Sequence, residues 1–403
     1  MIQRLCPEGV EYRKLKDVCE RIFAGGTPST SNKSFYDGDI PWIRSGEVDF
    51  NIIRTAERNI TQEGLDNSSA KWIKKNSVVI AMTGATVAKS AVVEFETTAN
   101  QSVAALEPSD LLDYKFLYYY VSSQYQQIKG MAQGALTSIN LQIIKDIEIP
   151  VPPLEVQRKI VEVLDNFSEL TAELTAELTA RQKQYEYYRD NLLNFNRGGQ
   201  VASDVKWMKL GSICTSIDSI KWKMNTGLYQ YIDLSSVDIQ THHIVSTLEI
   251  NRNTAPSRAQ QIVKCNDVIF ATTRPTQMRA CLIPKEYDGQ ICSTGYCVLR
   301  PDSSVILPQF LFFSLTIDSF REYLTNNLTL GNYPSISNTL LKEYFIPIPP
   351  LAEQERIVAI LDRFEALTTD LTSGLPAEIK ARQQQYEYYR DTLLSFPRKS
   401  SNS

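Results

Sequence analysis

The sequence predicts an α+β protein with two tandem mixed α/β domains, each followed by a long helix, with the two helices pairing as an antiparallel coiled coil about a pseudo-twofold axis. Three observations predict this class. The chain of 403 residues exceeds the usual size of a single hydrophobic core. Its second half repeats its first half, and a heptad pattern of apolar residues closes each half.

The internal repeat is visible in three segments that recur in the same order, at offsets of 195, 190 and 197 residues. The segments 10–15, 76–83 and 149–154 correspond to 205–210, 266–273 and 346–351. Because the offsets drift by only a few residues, loop insertions account for the differences between the halves. Each half therefore has the same plan: short apolar runs with turn signals, a Pro-Pro-Leu hinge, and a helical segment.

The helical segments differ in continuity. After the hinge at Pro152–Leu154, the first segment has no helix breaker and predicts a helix of about 40 residues, roughly 60 Å long. The second carries an insertion with Gly374 and Pro376, which predicts a break. A shorter helix is predicted over Tyr114–Gln127, inside the first domain. The predicted boundaries are 1–150 and 198–347 for the two domains, and 151–197 and 348–397 for the helical spacers.

Both helices carry one apolar stripe, with steps of three and four residues that are typical of a coiled-coil seam. A single stripe needs a partner, and the nearest partner for either helix is the other copy. The positions assigned to helix pairing and to partner docking are Leu164, Phe167, Leu174, Leu178, Tyr185, Tyr188, Leu361, Phe364, Leu371, Tyr386 and Tyr389.

Composition excludes several classes of protein. The sequence lacks a run of roughly 18 to 20 uncharged apolar residues, so we expect no membrane helix and we expect a cytoplasmic location. Seven cysteines without a C-x-x-C pair, and two adjacent histidines, argue against a disulfide framework or a zinc site. The net charge is −4, but residues 155–195 and 352–396 each carry −3, which leaves about +2 elsewhere. A localised DNA-binding face is therefore permitted.

Several motifs make the chain similar to a known family. Residues 171–178 read TAEL twice, and the stretches 181–190 and 382–391 are nearly identical to each other. Together with Gly25–Ser29, Ile40–Ile43 and the Pro-Pro-Leu hinges, they resemble the specificity subunits of type I restriction-modification systems, in particular the type IC branch. The same tetrapeptide alone would also suit a generic helical spacer, because Ala, Glu and Leu favour helices.

The resemblance implies that the two domains are target-recognition domains, which read the two halves of an asymmetric bipartite site in double-stranded DNA. It implies that the TAEL copies set the gap between the half-sites. It also implies two methyltransferase subunits and two restriction subunits as partners, and these would carry S-adenosylmethionine, ATP and Mg. No cofactor is expected on this chain.

The sequence lacks the motifs of a catalytic chain: the G-x-x-x-x-G-K-[ST] phosphate loop, the [DN]-P-P-[FYW] methyltransferase motif, and a G-x-G-x-x-G loop opening a helix. Gly25-Gly26 could cradle a phosphate, but a tight turn with positive φ is the favoured interpretation. The chain is therefore expected to be a non-catalytic subunit. Two other functions stay open: the recognition subunit of a related two-subunit (type IIB-like) enzyme, and a tandem scaffold that binds protein or RNA.

Base reading needs Arg, Lys, Asn, Gln, Ser or Thr on firmly held loops, and loops that differ between the halves are the best candidates. Each candidate could instead be a solvated surface side chain. The candidates for DNA contact are Arg44, Ser45, Thr83, Thr86 and Lys89 in the first domain, and Lys221, Lys223, Thr273, Arg274, Arg279, Asn332 and Tyr333 in the second.

Overall fold

A computed structural model describes residues 6–132, 138–195, 204–329, 331–369 and 374–399. The chain divides into two compact units: residues 1–172 with 381–403, and residues 173–380. Each unit thus contains one predicted domain together with parts of both helical spacers. The structure confirms the predicted fold class of two mixed α/β repeats with long helices.

The first unit holds the strands of the first domain. They are β1 Tyr12–Lys14, β2 Cys19–Ala24, β3 Tyr36–Ile43, β4 Asn51–Ile53, β5 Asn59–Ile60, β6 Ser77–Ala81, β7 Ser90–Val93, β8 Thr98–Ala99, β9 Val103–Pro108 and β10 Glu148–Pro150. The main sheet has the order β2-β9-β6-β7-β4, a second has the order β5-β3-β8, and β1 pairs with β10. The central strand β6 is buried throughout, as its unbroken apolar run predicts.

The second unit holds β11 Lys206–Lys209, β12 Cys214–Thr215, β13 Asp218–Ser219, β14 Tyr229–Ile232, β15 Leu248–Ile250, β16 Ala259–Ile262, β17 Val268–Ala271, β18 Ala280–Leu282, β19 Ile291–Ser293, β20 Tyr296–Pro301 and β21 Phe345–Ile348. Its sheets have the orders β12-β20-β17-β18 and β13-β16-β19-β14-β15, and β11 pairs with β21. The order β2-β9-β6-β7 thus recurs as β12-β20-β17-β18. The parallel pair β3-β8 recurs as β14-β19. The sequence repeat is therefore a repeat of strand topology.

The helices are α1 Leu15–Val18, α2 Gln62–Asp66, α3 Tyr114–Ser123, α4 Tyr125–Gly130, α5 Leu141–Asp146, α6 Leu154–Leu193, α7 Pro308–Ser314, α8 Asp318–Asn326, α9 Asn338–Lys342, α10 Leu351–Thr369 and α11 Gly374–Leu394. The helix predicted over residues 114–127 begins at Tyr114 as expected, but it is interrupted at Gln124: α3 ends at Ser123, and α4 continues from Tyr125 to Gly130. The 40-residue helix α6 matches its prediction. The second spacer consists of α10 and α11, and Gly374 begins α11 with a φ of +82°.

A buried glutamine ties each spacer helix to its domain. Gln157 is fully buried; its side-chain oxygen accepts from the Asp113 backbone N–H at 2.8 Å. Its Nε2 donates to the carbonyl oxygens of Leu111 at 2.9 Å and Pro152 at 2.8 Å. Gln157 therefore fixes the start of α6 against the loop that precedes α3.

The second unit repeats this anchor with Gln354, which is also fully buried. It accepts from the Leu307 N–H at 2.9 Å and donates to the carbonyls of Val305 at 3.0 Å and Pro349 at 2.9 Å. The same three bonds thus fix the start of α10 against the loop that precedes α7.

Candidate nucleic-acid interface

The loop between β6 and β7 in the first domain has a geometry that recurs in the second domain, between β17 and β18. In the first loop, Gly84 and Ala88 have φ of +82° and +67°. At the offset of 190 residues, Arg274 and Met278 have φ of +50° and +53°. The loops also close in the same way, with Ala81 N donating to Lys89 O and Ala271 N donating to Arg279 O, both at 2.9 Å. The repeat thus preserves one backbone frame and varies the side chains on it.

The structure brings most of the first-domain candidates together. Thr86 Oγ1 donates to the backbone oxygen of Ser45 at 2.6 Å, which joins the β6–β7 loop to the turn after β3. Lys89 forms an ion pair with Asp49, and its ammonium lies 5.8 Å from the centroid of the Phe50 ring. The loop is thereby tied to the turn at two points.

The cations of this cluster already have acidic partners. Arg44 Nη2 lies 2.6 Å from Glu57 Oε2, and Lys89 is paired as described. Thr83 lies in the same β6–β7 loop and is half-buried. DNA contact by Arg44 or Lys89 would therefore require an exchange of a carboxylate for a phosphate or a base.

In the second domain, the structure joins the loop after β17 to the segment before α9. Thr273 forms an antiparallel bridge with Ser335, and the Arg274 N–H donates to the Pro334 carbonyl at 2.7 Å. The guanidinium of Arg274 lies over the ring of Tyr333, 5.1 Å from its centroid. Asn332 precedes this tyrosine and is exposed, as Tyr333 is.

Three second-domain candidates lie apart from this pair. Arg279 is half-buried at the other end of the loop, near Tyr296. Burial raises the pKa of Tyr296, and the positive charge of Arg279 opposes that rise. Lys221 and Lys223 are exposed on the turn before β14, where Trp222 Nε1 donates to the Ala259 carbonyl at 2.7 Å. That turn is thus held against β16 rather than placed in the loop after β17.

The two domains place their cations at different positions of the shared frame. Through the equivalent parallel pairs β3-β8 and β14-β19, Arg44 corresponds to Asp233, at an offset of 189 residues. Burial alone would raise the pKa of Asp233, but hydrogen bonds from the Ser235 hydroxyl and from the backbone N–H groups of Ser235 and Ser236 lower it. The first domain therefore has a cation where the second has an anion.

The glycine pair at Gly25–Gly26 corrects a prediction. Neither residue has a positive φ. Their N–H groups donate to the carbonyls of Val103 at 3.0 Å and Ala99 at 2.8 Å, so they are used within the protein. Glycine is required here because a Cβ at either position would overlap neighbouring backbone atoms. The loop therefore has no free N–H pair for a phosphate at these residues.

The helix-pairing positions make contacts in each unit. In the first, Phe167 stacks on Tyr389 with centroids 5.2 Å apart, and Leu164 is fully buried. Tyr386 is half-buried, and burial raises its pKa.

In the second unit, the Phe364 ring faces Tyr188 at 5.7 Å and Tyr185 at 6.4 Å. Leu361 is fully buried, and Leu174 and Leu178 are half-buried. Leu371 lies outside the described residues.

Sequence reasoning missed the most exposed aromatic residues of the spacers. Tyr187 is 65% exposed and Tyr388 is 67% exposed. Each is the second tyrosine of the repeated stretch YEYYRD, where the seam assignment used only the flanking tyrosines. An aromatic outside the heptad seam, repeated in both halves, was the available signal.

A groove lies between domain and spacer helix in each unit. In the first unit its volume is about 590 Å³, and Tyr118, Tyr119, Ser168 and Tyr386 line it. In the second it is about 740 Å³.

Ionisable groups line the second groove. Burial and, to a smaller extent, the nearby carboxylate of Asp362 together raise the pKa of Glu365 to about 7. Burial also lowers the pKa of His242, whose Nδ1 lies 3.2 Å from the Ala280 carbonyl oxygen. Among the described residues, no group of three or more His, Cys, Asp or Glu could hold a metal ion. The seven cysteines are free thiols. No helix in the described ranges is long and apolar enough to cross a membrane.

Comparisons with known proteins agree with this architecture. The family model described as "Type I restriction modification DNA specificity domain" matches residues 7–181 and 202–381, one match in each repeat. The specificity subunit of the Escherichia coli enzymes EcoR124I/EcoR124II is 31% identical over 277 residues, which cover 63% of this chain and 64% of that protein. The chain thus spans slightly less than two thirds of this relative. A putative type I specificity subunit of Haemophilus influenzae is 32% identical, over 74% of this chain and 76% of that protein.

Solved structures share the fold. A structure concerned with assembly and conformational transition of the type I restriction-modification system matches with a TM-score of 0.65, at 18% identity, over 96% of this chain and 97% of that chain. The S subunit from M. genitalium matches with a TM-score of 0.53, at 17% identity, over 97% of both chains. On the two family matches, which together cover most of its length, the chain belongs to the type I restriction modification DNA specificity domain family.

Proposed function

We propose that this chain is the DNA specificity subunit of a type I restriction-modification complex and recognises an asymmetric bipartite site, one half-site for each domain. The observation that carries the proposal is the repeated loop frame with different side chains on it. Gly84 and Arg274 occupy equivalent left-handed positions, and Arg44 and Asp233 are also equivalent. Two loops with the same backbone geometry but different charged side chains are suited to the recognition of two different DNA sequences.

The test is selection of binding sites from a random duplex library by the full chain, purified with its modification partner. We expect a consensus with two specific parts separated by a gap of fixed length and unspecified sequence. Affinity should fall steeply with salt, because phosphate contacts release counterions. Failure to recover a split consensus would contradict the proposal, and selective binding of RNA would favour a scaffold function instead.

In this proposal the partner subunits do the chemistry. Two methyltransferase subunits would use S-adenosylmethionine, and two restriction subunits would use ATP and Mg. The family name and the absence of catalytic motifs in the sequence support this division. A partner that combined cleavage and methylation in one chain would identify the related two-subunit enzyme, so co-purification of the partners distinguishes these alternatives.

The modification subunits would dock on the helical spacers. Tyr187 and Tyr388 are exposed at equivalent places of the repeated stretch, and exposed tyrosines are frequent anchors of protein interfaces. Two equivalent anchors suit two copies of one partner. Tyr388→Ser should reduce co-purification of the modification subunit, whereas Gln384→Ser, at an exposed position of the same helix, should not. Equal recovery with both variants would remove Tyr388 from the docking surface.

Residues 171–178 are proposed to set the length of the DNA gap, as in the type IC branch that they resemble. They lie within α6, which is continuous from Leu154 to Leu193. Deleting Thr175–Leu178 removes about 6 Å of helix, and a third TAEL copy adds the same length. We expect the selected gap to shorten and lengthen respectively, with both half-sites unchanged. A change in a half-site would count against this role.

A further inference from the structure

The loop after β17 places an arginine in a backbone conformation that costs energy. Arg274 has a φ of +50°, and the equivalent residue in the first domain is Gly84, for which a positive φ is free of side-chain strain. Residues in sparsely populated backbone conformations cluster at binding and active sites, where the surrounding structure holds them in place. The arginine is also exposed.

Two elements fix the direction of this side chain. The Arg274 N–H donates to the Pro334 carbonyl at 2.7 Å, and the Ile336 N–H donates to the Thr272 carbonyl at 2.9 Å. These bonds hold the segment that carries Tyr333 beside the loop. The guanidinium then lies over the tyrosine ring, 5.1 Å from its centroid, while 65% of Tyr333 remains exposed.

The donors of this guanidinium remain available. Within the described part of the chain, Arg44 and Lys89 form ion pairs, whereas none is formed by Arg274. When a guanidinium lies over an aromatic ring, its N–H groups still point outward in the guanidinium plane. A bidentate acceptor can approach them in that plane. In the major groove, the bidentate acceptor that arginine reads is the O6 and N7 edge of guanine.

The first domain has the same backbone geometry in this loop but lacks the arginine and the tyrosine. The Ile139 N–H donates to the Met82 carbonyl at 2.9 Å, which repeats the bond between Ile336 and Thr272. In the sequence, Gly84 stands in place of Arg274, and Leu136 stands in place of Tyr333 at the offset of 197 residues. The arginine and the aromatic ring are therefore present together in the second domain and missing together in the first.

We infer that Arg274, held by Tyr333, reads a guanine in the half-site of the second domain. This inference rests on the proposed function and adds a base and a residue to it. The bipartite site would be asymmetric at this position, because the equivalent residue of the first domain is Gly84, which has no side chain for the same contact.

The test uses the full chain with its modification partner and the variants Arg274→Gly, Arg274→Lys and Tyr333→Leu. Glycine suits the left-handed position, so the melting temperature of Arg274→Gly should be unchanged or raised. We expect this variant to lose one guanine preference in one half-site and to bind the wild-type site about 5- to 150-fold more weakly. The other half-site should not change. Arg274→Lys should retain only part of the preference, because an ammonium can donate to guanine but lacks the planar fork.

An atomic substitution in the DNA provides a second readout. Replacing the guanine by 7-deazaguanine removes N7, and it should weaken binding by the wild type but not by Arg274→Gly. Tyr333→Leu should reduce discrimination between guanine and adenine at this position, because the guanidinium loses its support.

Three results would overturn the inference. One is an unchanged consensus with Arg274→Gly. A second is equal weakening on all sequences with a smaller salt dependence, which would identify a phosphate contact. In both cases a split consensus for the wild type would leave the proposed function intact. If the wild type itself yields no split consensus, the proposed function and this inference fail together.

Discussion

The buried glutamine at the start of each spacer helix leads to a quantitative prediction. Gln157→Leu keeps the approximate size of the side chain and removes its three hydrogen bonds. The Asp113 N–H and the Pro152 carbonyl would then lack this partner, whereas the third bond goes to the carbonyl of Leu111, a residue that is 45% exposed. An unsatisfied buried group costs about 1–3 kcal/mol, so two such groups, offset in part by the apolar leucine, should lower the free energy of unfolding by about 2–4 kcal/mol.

The measurement is urea or thermal unfolding of the full chain. For a unit of this size, 1 kcal/mol corresponds to about 2–4 °C in the melting temperature, so the first transition should fall by roughly 5–15 °C. Gln354→Leu should cause a similar loss, because Gln354 makes the same three bonds in the second unit. Gln182→Leu is the matched control, since Gln182 is exposed on α6 and its replacement should change stability by less than about 0.5 kcal/mol.

Unfolding of Gln157→Leu at the same midpoint as Gln182→Leu would refute this reasoning. It would mean that the donor and the acceptors find other partners, or that this end of α6 is not tied to the domain by Gln157. A large loss with Gln157→Leu and none with Gln354→Leu would refute the equivalence of the two anchors.

Three further predictions concern stability. The Tyr296 hydroxyl is buried without a hydrogen-bond partner among the described residues, so Tyr296→Phe should raise the free energy of unfolding by about 1 kcal/mol in urea denaturation, and a loss would indicate a partner. Glu365 has a pKa of about 7 in the folded protein against 4.5 as its ordinary value, so the folded state binds more protons between these values and stability falls as pH rises through this window. Glu365→Gln should therefore stabilise the protein by up to about 3 kcal/mol at pH 8 and by little at pH 4, and a gain independent of pH would contradict this. Gly26→Ala places a Cβ against the Ala70 backbone and should cost about 1–3 kcal/mol, whereas Gly46→Ala, with open space around it, should cost less; equal melting temperatures would show that the loop can shift.

The sequence predicted the duplication, the hinge and the first spacer helix because these depend on local patterns. Pro-Pro-Leu precedes a helix in both halves, and α6 begins at Leu154 in agreement with that pattern. The sequence also contains Gln157 and Gln354 at equivalent places, yet their burial was not predictable. Their carbonyl partners Leu111 and Val305 are 46 and 49 residues away in sequence, so only tertiary structure brings them together.

The heptad pattern located the seam but not the burial of its members. Leu164 is fully buried because it also packs in the core of the first domain, whereas Leu174 and Leu178 are half-buried. Tyr188 and Tyr389 stack on phenylalanine rings and still remain 41% and 43% exposed. A spacing of three and four residues shows which side chains lie on the apolar face of a helix. How deeply each of them is buried depends on the other elements that pack over that turn.

The loops show why the frame of the site was more predictable than its side-chain geometry. The offset of 190 residues aligned the two loops from sequence, and the structure repeats their left-handed positions. Sequence reasoning placed the Asn332–Tyr333 pair near the loop that carries Arg274, but it predicted no contact between the arginine and the tyrosine. Their contact at 5.1 Å depends on a backbone bond between residues 274 and 334, which no local pattern encodes. The argument for a base contact is therefore the exposed guanidinium held over an aromatic ring, at a loop position that is glycine in the first domain.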